Sequence, residues 1–370
     1  MELNLMSKMG SYSEQDVIFL LKDLSSITIE KDTSEREKAI QSGVHYSEML
    51  PIEYKPSPHY LTLFHESLDI YKQKVAMAVA LVAEQIYEQK GKEIVLVSLA
   101  RAGTPIGILI KRYLAFKYDI NVPHYSISII RGRGIDENAI RYILQQHEGA
   151  DVQFVDGWTG KGAITKELTK SCSQFYEKYG IQLDDELAVV ADPGFCSSLY
   201  GTREDFLIPS ACLNSTVSGL VSRTVLNRRY VSESDFHGAK YYKELESEDM
   251  SNFYIDSIAT QFEQIAQNVP TELALQKERY TKPDWSGLAG VERIQHDFQI
   301  ESYHFIKPGV GETTRVLLRR VPWKILVKEK DSEHLQHIYL LAKERGVPIE
   351  VYEHMPYSCC GLIQPMGEDK

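Results

Sequence analysis

Phe154-Val155-Asp156-Gly157-Trp158-Thr159-Gly160-Lys161-Gly162-Ala163-Ile164-Thr165 is the stretch on which the fold turns. An apolar run ends in an acid, a Thr-Gly-x-Gly turn follows, and helix-forming residues resume. A strand feeding a helix through a small-residue turn is the repeating unit of a parallel α/β sheet. Glycines let the backbone approach a ligand, and a helix N-terminus offers free N–H groups to an anion. The turn therefore predicts a phosphate cradle from Thr159, Gly160 and Gly162, with Thr165 adding a hydroxyl and Lys161 a charge. Asp156 is placed to accept from ribose hydroxyls or to hold a hydrated Mg²⁺. The spacing is not that of a Walker A loop, and a turn that merely packs tightly is the competing reading.

Working outward, the same texture recurs. Ile94–Ser98, Tyr125–Ile130, Val152–Asp156, Leu187–Ala191 and Phe206–Cys212 are short apolar runs separated by stretches long enough for crossover helices. They predict a parallel sheet whose ligands lie beyond the strand C-termini. The first run leads into Ala100-Arg101-Ala102-Gly103, where Arg101 offers a donor fork to a diphosphate. The second leads into Arg131-Gly132-Arg133-Gly134, which reads as a mobile anion-clamping loop. Asn214-Ser215-Thr216, after the last run, could read a nucleoside edge.

Residues 60–90 have apolar side chains at helical spacing, and Ser13-Glu-Gln-Asp16 before Val17–Leu21 reads as a capping box opening a short helix. Near the C-terminus, Lys324–Lys328, Glu333–Arg345 and Pro348–Glu353 form a β-α-β pattern. The expected organisation is an N-terminal extension (1–60), a main domain (61–260), a linker (261–297) and a small α/β domain (298–370).

The chain has 370 residues, 43% apolar and 25% charged, with a net charge of −11. A full-sized core can be buried, and the whole chain is not built to coat nucleic acid or an anionic membrane. Residues 301–370 are neutral, with ten acids and ten bases, so the acidity belongs to the rest. The five cysteines are odd in number and contain no C-x-x-C pair, which argues against a disulfide framework or a Cys-rich zinc site. No stretch approaches the length of a bilayer span and the start lacks signal-peptide features, so a cytoplasmic location is expected.

The order Ala-Arg-Ala-Gly, arginine loop, then Val-Asp-x-x-Thr-Gly-Lys resembles the type I phosphoribosyltransferase fold. One acid, followed by Gly157, stands where that family usually has two. The resemblance implies phosphoribosyl pyrophosphate with Mg²⁺, Ala100–Gly103 (Ala100, Arg101, Ala102, Gly103) as the pyrophosphate loop, and Asp156 with Thr159–Gly162 as the phosphoribosyl loop. The longer stretches SIIRGRGID, FVDGWTGKGAIT, GTREDFLIPSACLNSTVSGLVSRTVL and FHGAKYY resemble a phosphoribosyltransferase-like family of bacterial tellurite-resistance and stress gene clusters, often labelled the cysteine protease StiP family. The tail, with Gly309-Val-Gly311-Glu-Thr313-Thr-Arg315, is similar to a Pelota-type RNA-binding domain.

The leading expectation is thus glycosyl transfer or phosphorolysis on a sugar-phosphate or nucleotide-like substrate. Asp156, Lys161 and Arg101 are its catalytic candidates. Arg131, Arg133, Asp192, Asn214, Ser215 and Thr216 join the loops as substrate contacts. The first alternative is a cysteine hydrolase using Cys196 or Cys212, with His237 as base and Asp192 orienting it. The second is a non-catalytic nucleotide sensor coupled to structured RNA through Gly309, Gly311, Thr313, Arg315, Arg319 and Arg320.

Overall fold

The computed structural model describes residues 8–363; residues 364–370 of the expected tail lie outside them. The architecture is mixed α/β, with a mostly parallel central sheet between helices. Its strands are β1 (Ile18–Phe19), β2 (Ile94–Ala100), β3 (His124–Ile130), β4 (Gly134–Ile135), β5 (Asp151–Trp158), β6 (Ala188–Ala191) and β7 (Tyr200–Thr202). Their order is β1-β3-β2-β5-β6-β7, every pair on this path parallel, with β4 antiparallel on β3. The central strands are buried on both faces, which is why they read as continuous apolar runs.

The long helix α1 (Pro58–Lys90) begins where Ser57 accepts from the Tyr60 amide and Pro58 presets the first turn. It ends at Gly91, whose φ is +68°. Its buried stripe of Phe64, Leu68, Val75, Val79, Val82 and Ile86 packs on one face of the sheet beside α2 (Gly103–Tyr118). The other face is covered by α3 (Glu137–Gln146) and α4 (Ala163–Tyr179).

Three expectations fail for identifiable reasons. Val17–Leu21 does not open a helix: Ser13–Asp16 is a turn, and Ile18–Phe19 pairs with Tyr125 and Ser126 at the sheet edge. Residues of the supposed extension thus belong to the main sheet. Phe206–Cys212 is not a strand, because Pro209 has no N–H to give a ladder and starts a turn of 3₁₀ helix. The supposed linker is largely helical, including Val269–Glu278 and α5 (Ser286–Asp297).

The C-terminal module holds β8 (Ile306–Pro308), α6 (Val310–Arg319), β9 (Pro322–Val327), α7 (Gln336–Glu344), β10 (Ile349–Val351) and β11 (Cys359–Ile363). Its sheet runs β8-β11-β9-β10, with β9 and β10 parallel as the β-α-β pattern requires. This module is docked firmly on the main body. Half-buried Asp205 accepts from the amides of Val310 and Ser358, each at 2.8 Å, and so caps α6 from outside its own module. Tyr60 Oη donates to Leu318 O at 2.6 Å.

Candidate functional site

A cleft of about 760 Å³ opens between the two modules, at the C-terminal ends of β2, β3 and β5. Ala100, Arg101, Ala102 and Asp156 line it from the main sheet. Cys212, Asn214 and Thr216 line it from the segment after β7, and Glu312, Arg315, Arg319 and Arg320 from α6 and its end. Carboxyl edges of parallel strands are where α/β sheets bind ligands.

Its charged groups interlock. Arg101 donates to Asn214 Oδ1 at 2.9 Å and to Val221 O at 3.3 Å, and lies 3.8 Å from Glu53 Oε2. Arg319 donates to the same Asn214 oxygen and, at 2.7 Å, to Cys212 O. One amide oxygen therefore accepts from guanidiniums of both modules. Arg315 stacks 4.5 Å over Trp158 and pairs with Glu312 at 3.0 Å. Burial and neighbouring Arg315 and Arg101 push the Arg319 pKa down to about 9. Burial raises Asp156 to about 7, against the pull of the Gly157 amide and Arg315. For Glu312, burial alone would raise the pKa, but Arg315 and Lys307 more than offset it.

The turn after β5 has a different fate. Thr159 Oγ1 accepts from the Gly162 amide at 3.1 Å, and Gly160 O accepts from Tyr357 Oη at 2.6 Å. A Cβ on Gly160 would stand 3.1 Å from Pro308, and one on Gly162 would strike Trp285 at 2.1 Å. Lys161 donates to the carbonyls of Tyr303 and Ile306 at 2.8 and 3.0 Å. The glycines let the C-terminal module approach, and the lysine holds it. Thr165 is buried at the start of α4, its hydroxyl without a partner. Gly103 packs against β5, where a Cβ would meet Val155 O at 2.5 Å.

The arginine loop is tied down. Glu167 accepts from the Gly132 and Gly134 amides, Tyr46 Oη from the Arg131 amide, and Arg133 pairs with Glu48 at 3.0 Å. Neither Arg131 nor Arg133 lines the cleft. Ser215 gives both its amide and hydroxyl to Glu53.

The structure does not assemble the thiol–imidazole pairs expected from sequence. Asp192 is fully buried, accepts from the amides of Cys196 and Ser197, and pairs with Arg203; it anchors its own turn. His237 bonds Ser128 Oγ through Nδ1 at 2.8 Å, on β3. Cys196 follows β6, three strand positions away, or about 14 Å at the usual spacing. Cys196 donates to Gly194 O at 3.2 Å, and burial beside Asp192 raises its thiol. Cys212 is fully buried with Ser67 Oγ 3.9 Å away, its thiol pushed up to about 12 by burial while Ser67, Arg319 and Arg315 oppose the rise. No imidazole bonds either thiol among the described residues.

Of the tail residues read as RNA contacts, Gly309 sits against Asp205, Gly311 against Ala211 and Trp158, and Thr313 is buried. Arg315 and Arg319 turn into the cleft, and Arg320 is exposed at its rim. The donors around Asp156 do not fit Mg²⁺, which wants ionised oxygen ligands. Asp156 has a raised pKa and faces Arg315, and the neighbouring carboxylate, Glu312, is already paired with that arginine. Among the described residues no cluster of three or more His, Cys, Asp or Glu is placed to hold a metal. Nor is any of their helices long and apolar enough to cross a membrane.

Sequence reasoning missed Glu53 and Arg223, both on the cleft wall. Pro51 and Pro56 held the only signal for Glu53: they mark an extended segment, which here runs along the lip.

Comparison with known proteins gives three findings. The family model "Tellurite-like stress resistance cysteine protease StiP" matches residues 10–259, and the "PELOTA RNA binding domain" model matches residues 285–365. A curated protein of Acinetobacter baylyi, "Cysteine protease StiP", is 35% identical over 97% of this chain and 95% of its own length. These findings correct the leading expectation. Both names state a cysteine protease, a hydrolase, and none supports glycosyl transfer or phosphorolysis. They match the first alternative instead.

Proposed function

This chain belongs to the family of tellurite-like stress resistance cysteine proteases StiP, and on that premise we propose that it is a thiol hydrolase working in the cleft between its modules, with Cys212 as the nucleophile. The observation that supports this choice is position: Cys212 is the cysteine among the residues that line the cleft, its side chain buried just beneath the wall. Cys196 faces its own turn, and the remaining thiols are buried elsewhere.

At rest the Cys212 thiol keeps its proton, because burial disfavours thiolate. Two features work the other way. Arg319 and Arg315 stabilise negative charge at the sulfur. Asp156 lines the same cleft with a pKa near 7, where a carboxyl can both take and return a proton at neutral pH. In this reading Asp156 takes the thiol proton as sulfur attacks a substrate carbonyl. The amine leaves with that proton, a thioester remains, and water hydrolyses it to the acid and free thiol.

The test is a peptide-hydrolysis screen, beginning with unfolded casein and acidic peptides, before and after iodoacetamide. Cys212→Ala should abolish turnover with the fold retained, while Cys196→Ala and Cys172→Ala keep it. Full activity in Cys212→Ala would remove the nucleophile assigned here. Contact with structured RNA through the C-terminal module is proposed only for surfaces away from Gly309–Arg319, which faces the main body and the cleft.

A further inference from the structure

The cleft carries more positive charge than its own acids satisfy. Glu53 is engaged with Ser215 and Arg101, and Glu312 with Arg315. Asp156 resists ionisation. Arg223, also on the cleft wall, is left without a carboxylate. Among the described residues its side chain makes no hydrogen bond or ion pair, its buried Nε is unpartnered, and its Cζ lies 5.7 Å over the Tyr46 ring. Burial, with Arg36, Arg101 and Arg320 close by, pushes its pKa down to about 9. A desolvated guanidinium among other guanidiniums is unfavourable unless an anion joins them.

A second group points the same way. Thr216 lines the cleft at 1% exposure, and its hydroxyl has no partner. Buried hydroxyls ordinarily find one. The Arg223 Nε and the Thr216 hydroxyl are thus both without partners, on residues that line the same cavity.

The lip supplies a third element of different chemistry. Tyr54 is 72% exposed and Ile52 40% exposed, both on the cleft edge. An exposed tyrosine beside an apolar side chain offers a face on which a planar base can stack. The cavity lies within the size range of small-molecule sites.

We propose that this cleft is a receptor for a nucleoside polyphosphate, its phosphates held by Arg101, Arg223 and Arg319 and its base resting on Tyr54. Guanidinium forks match phosphate oxygens in pairs. Three such forks from separate parts of the chain fit a multiply charged group better than a single carboxylate. Because Arg319 also holds the Cys212 carbonyl, the ligand would sit over the thiol and compete with a peptide substrate. That consequence rests on the hydrolase reading; the binding itself does not.

The experiment is calorimetric titration of the full-length Cys212→Ala protein, at low salt, with ATP, GTP, inorganic tripolyphosphate and adenosine. Using the thiol-free variant separates the outcomes, since binding is then measured where turnover is impossible. ATP or GTP should bind and adenosine should not. Arg223→Ala, added to that background, should weaken nucleotide at least 10-fold and leave the unliganded protein as heat-stable or more so, since it removes a repelled charge. Tyr54→Ala should weaken nucleotide but not tripolyphosphate. No binding of any phosphate ligand, or an affinity unchanged by Arg223→Ala, overturns the proposal. Equal affinity for tripolyphosphate and nucleotide overturns the base contact.

Discussion

The turn after β5 and the cleft beside it make an instructive pair. Both read as anion sites in the sequence, the turn more strongly, because Thr159-Gly160-Lys161-Gly162 has glycines, a hydroxyl and a lysine in four residues. In the folded chain the turn is filled by protein: Pro308, Trp285 and Tyr357 occupy the space its glycines open. The cleft, announced only by scattered arginines, stays open. Glycine spacing reports that something approaches the backbone closely; it does not say what. Unpaired buried cations are the more discriminating sign, because a chain has no packing reason to retain them.

The largest expected effect breaks this comparison at the turn. Gly162 has φ +68°, and its Cβ would strike the Trp285 ring. Gly162→Val should therefore cost about 3 kcal/mol or more, from backbone strain of roughly 1–3 kcal/mol and overpacking of roughly 1–3 kcal/mol. Urea unfolding checks it. A midpoint close to wild type, with nucleotide binding lost, would return the turn to the role of an open phosphate cradle.

What was legible follows the same division. The β2, β3, β5 and β6 strands were readable because burial on both faces demands short Val- and Ile-rich runs. Tyr200–Thr202 was not, because three residues with a central glycine carry no pattern. Arg101 and Asp156 were read at strand ends, where topology puts ligands, and both line the cleft; Asn214 and Thr216 line it as well, although the run before them is a 3₁₀ turn and not the expected strand. Arg319 was found as a charge but assigned to RNA, since only docking of the two modules turns it into the cleft. Arg223 gave no signal, lying in a loop without glycine motif or strand. The −11 net charge also hid a basic cleft, because summed charge says nothing of where charges gather.

An intermediate effect sharpens the cleft side. The Asp156 pKa is raised from 3.8 to about 7, chiefly by burial. The fold therefore favours its protonated form. The stability this group lends is whole below pH 3.8 and is lost as pH rises through about 7. Asp156→Asn has no proton to lose. Its melting temperature relative to wild type should climb between pH 4 and pH 8, reaching a gain of about 2–4 °C. A gain that instead shrinks with pH would mean that the carboxylate is held in a stabilising pair with Arg315. The same variant should also lose hydrolysis if Asp156 is the proton acceptor, whereas stability and activity would part company if it is not.

The smallest effect concerns the arginine loop, which has the sequence of a mobile clamp and the bonding of a fixed hairpin. Glu167 accepts two of its amides, at 2.7 and 3.1 Å. Arg133 spends its charge on Glu48, an ion pair with both side chains about one-third exposed. Pairs in that setting contribute at most about 1 kcal/mol, because water screens the attraction and ordering two long side chains costs entropy. Arg133→Ala should thus lower stability by less than about 1 kcal/mol in urea unfolding. Its nucleotide affinity should stay within about 2-fold of wild type, beside a loss of at least 10-fold for Arg223→Ala. The contrast is between an arginine that already has its anion and one that does not. If Arg133→Ala loses as much affinity as Arg223→Ala, the loop must leave Glu48 and close over the ligand, and exposure to solvent rather than lack of a partner would be the better guide to which arginines bind.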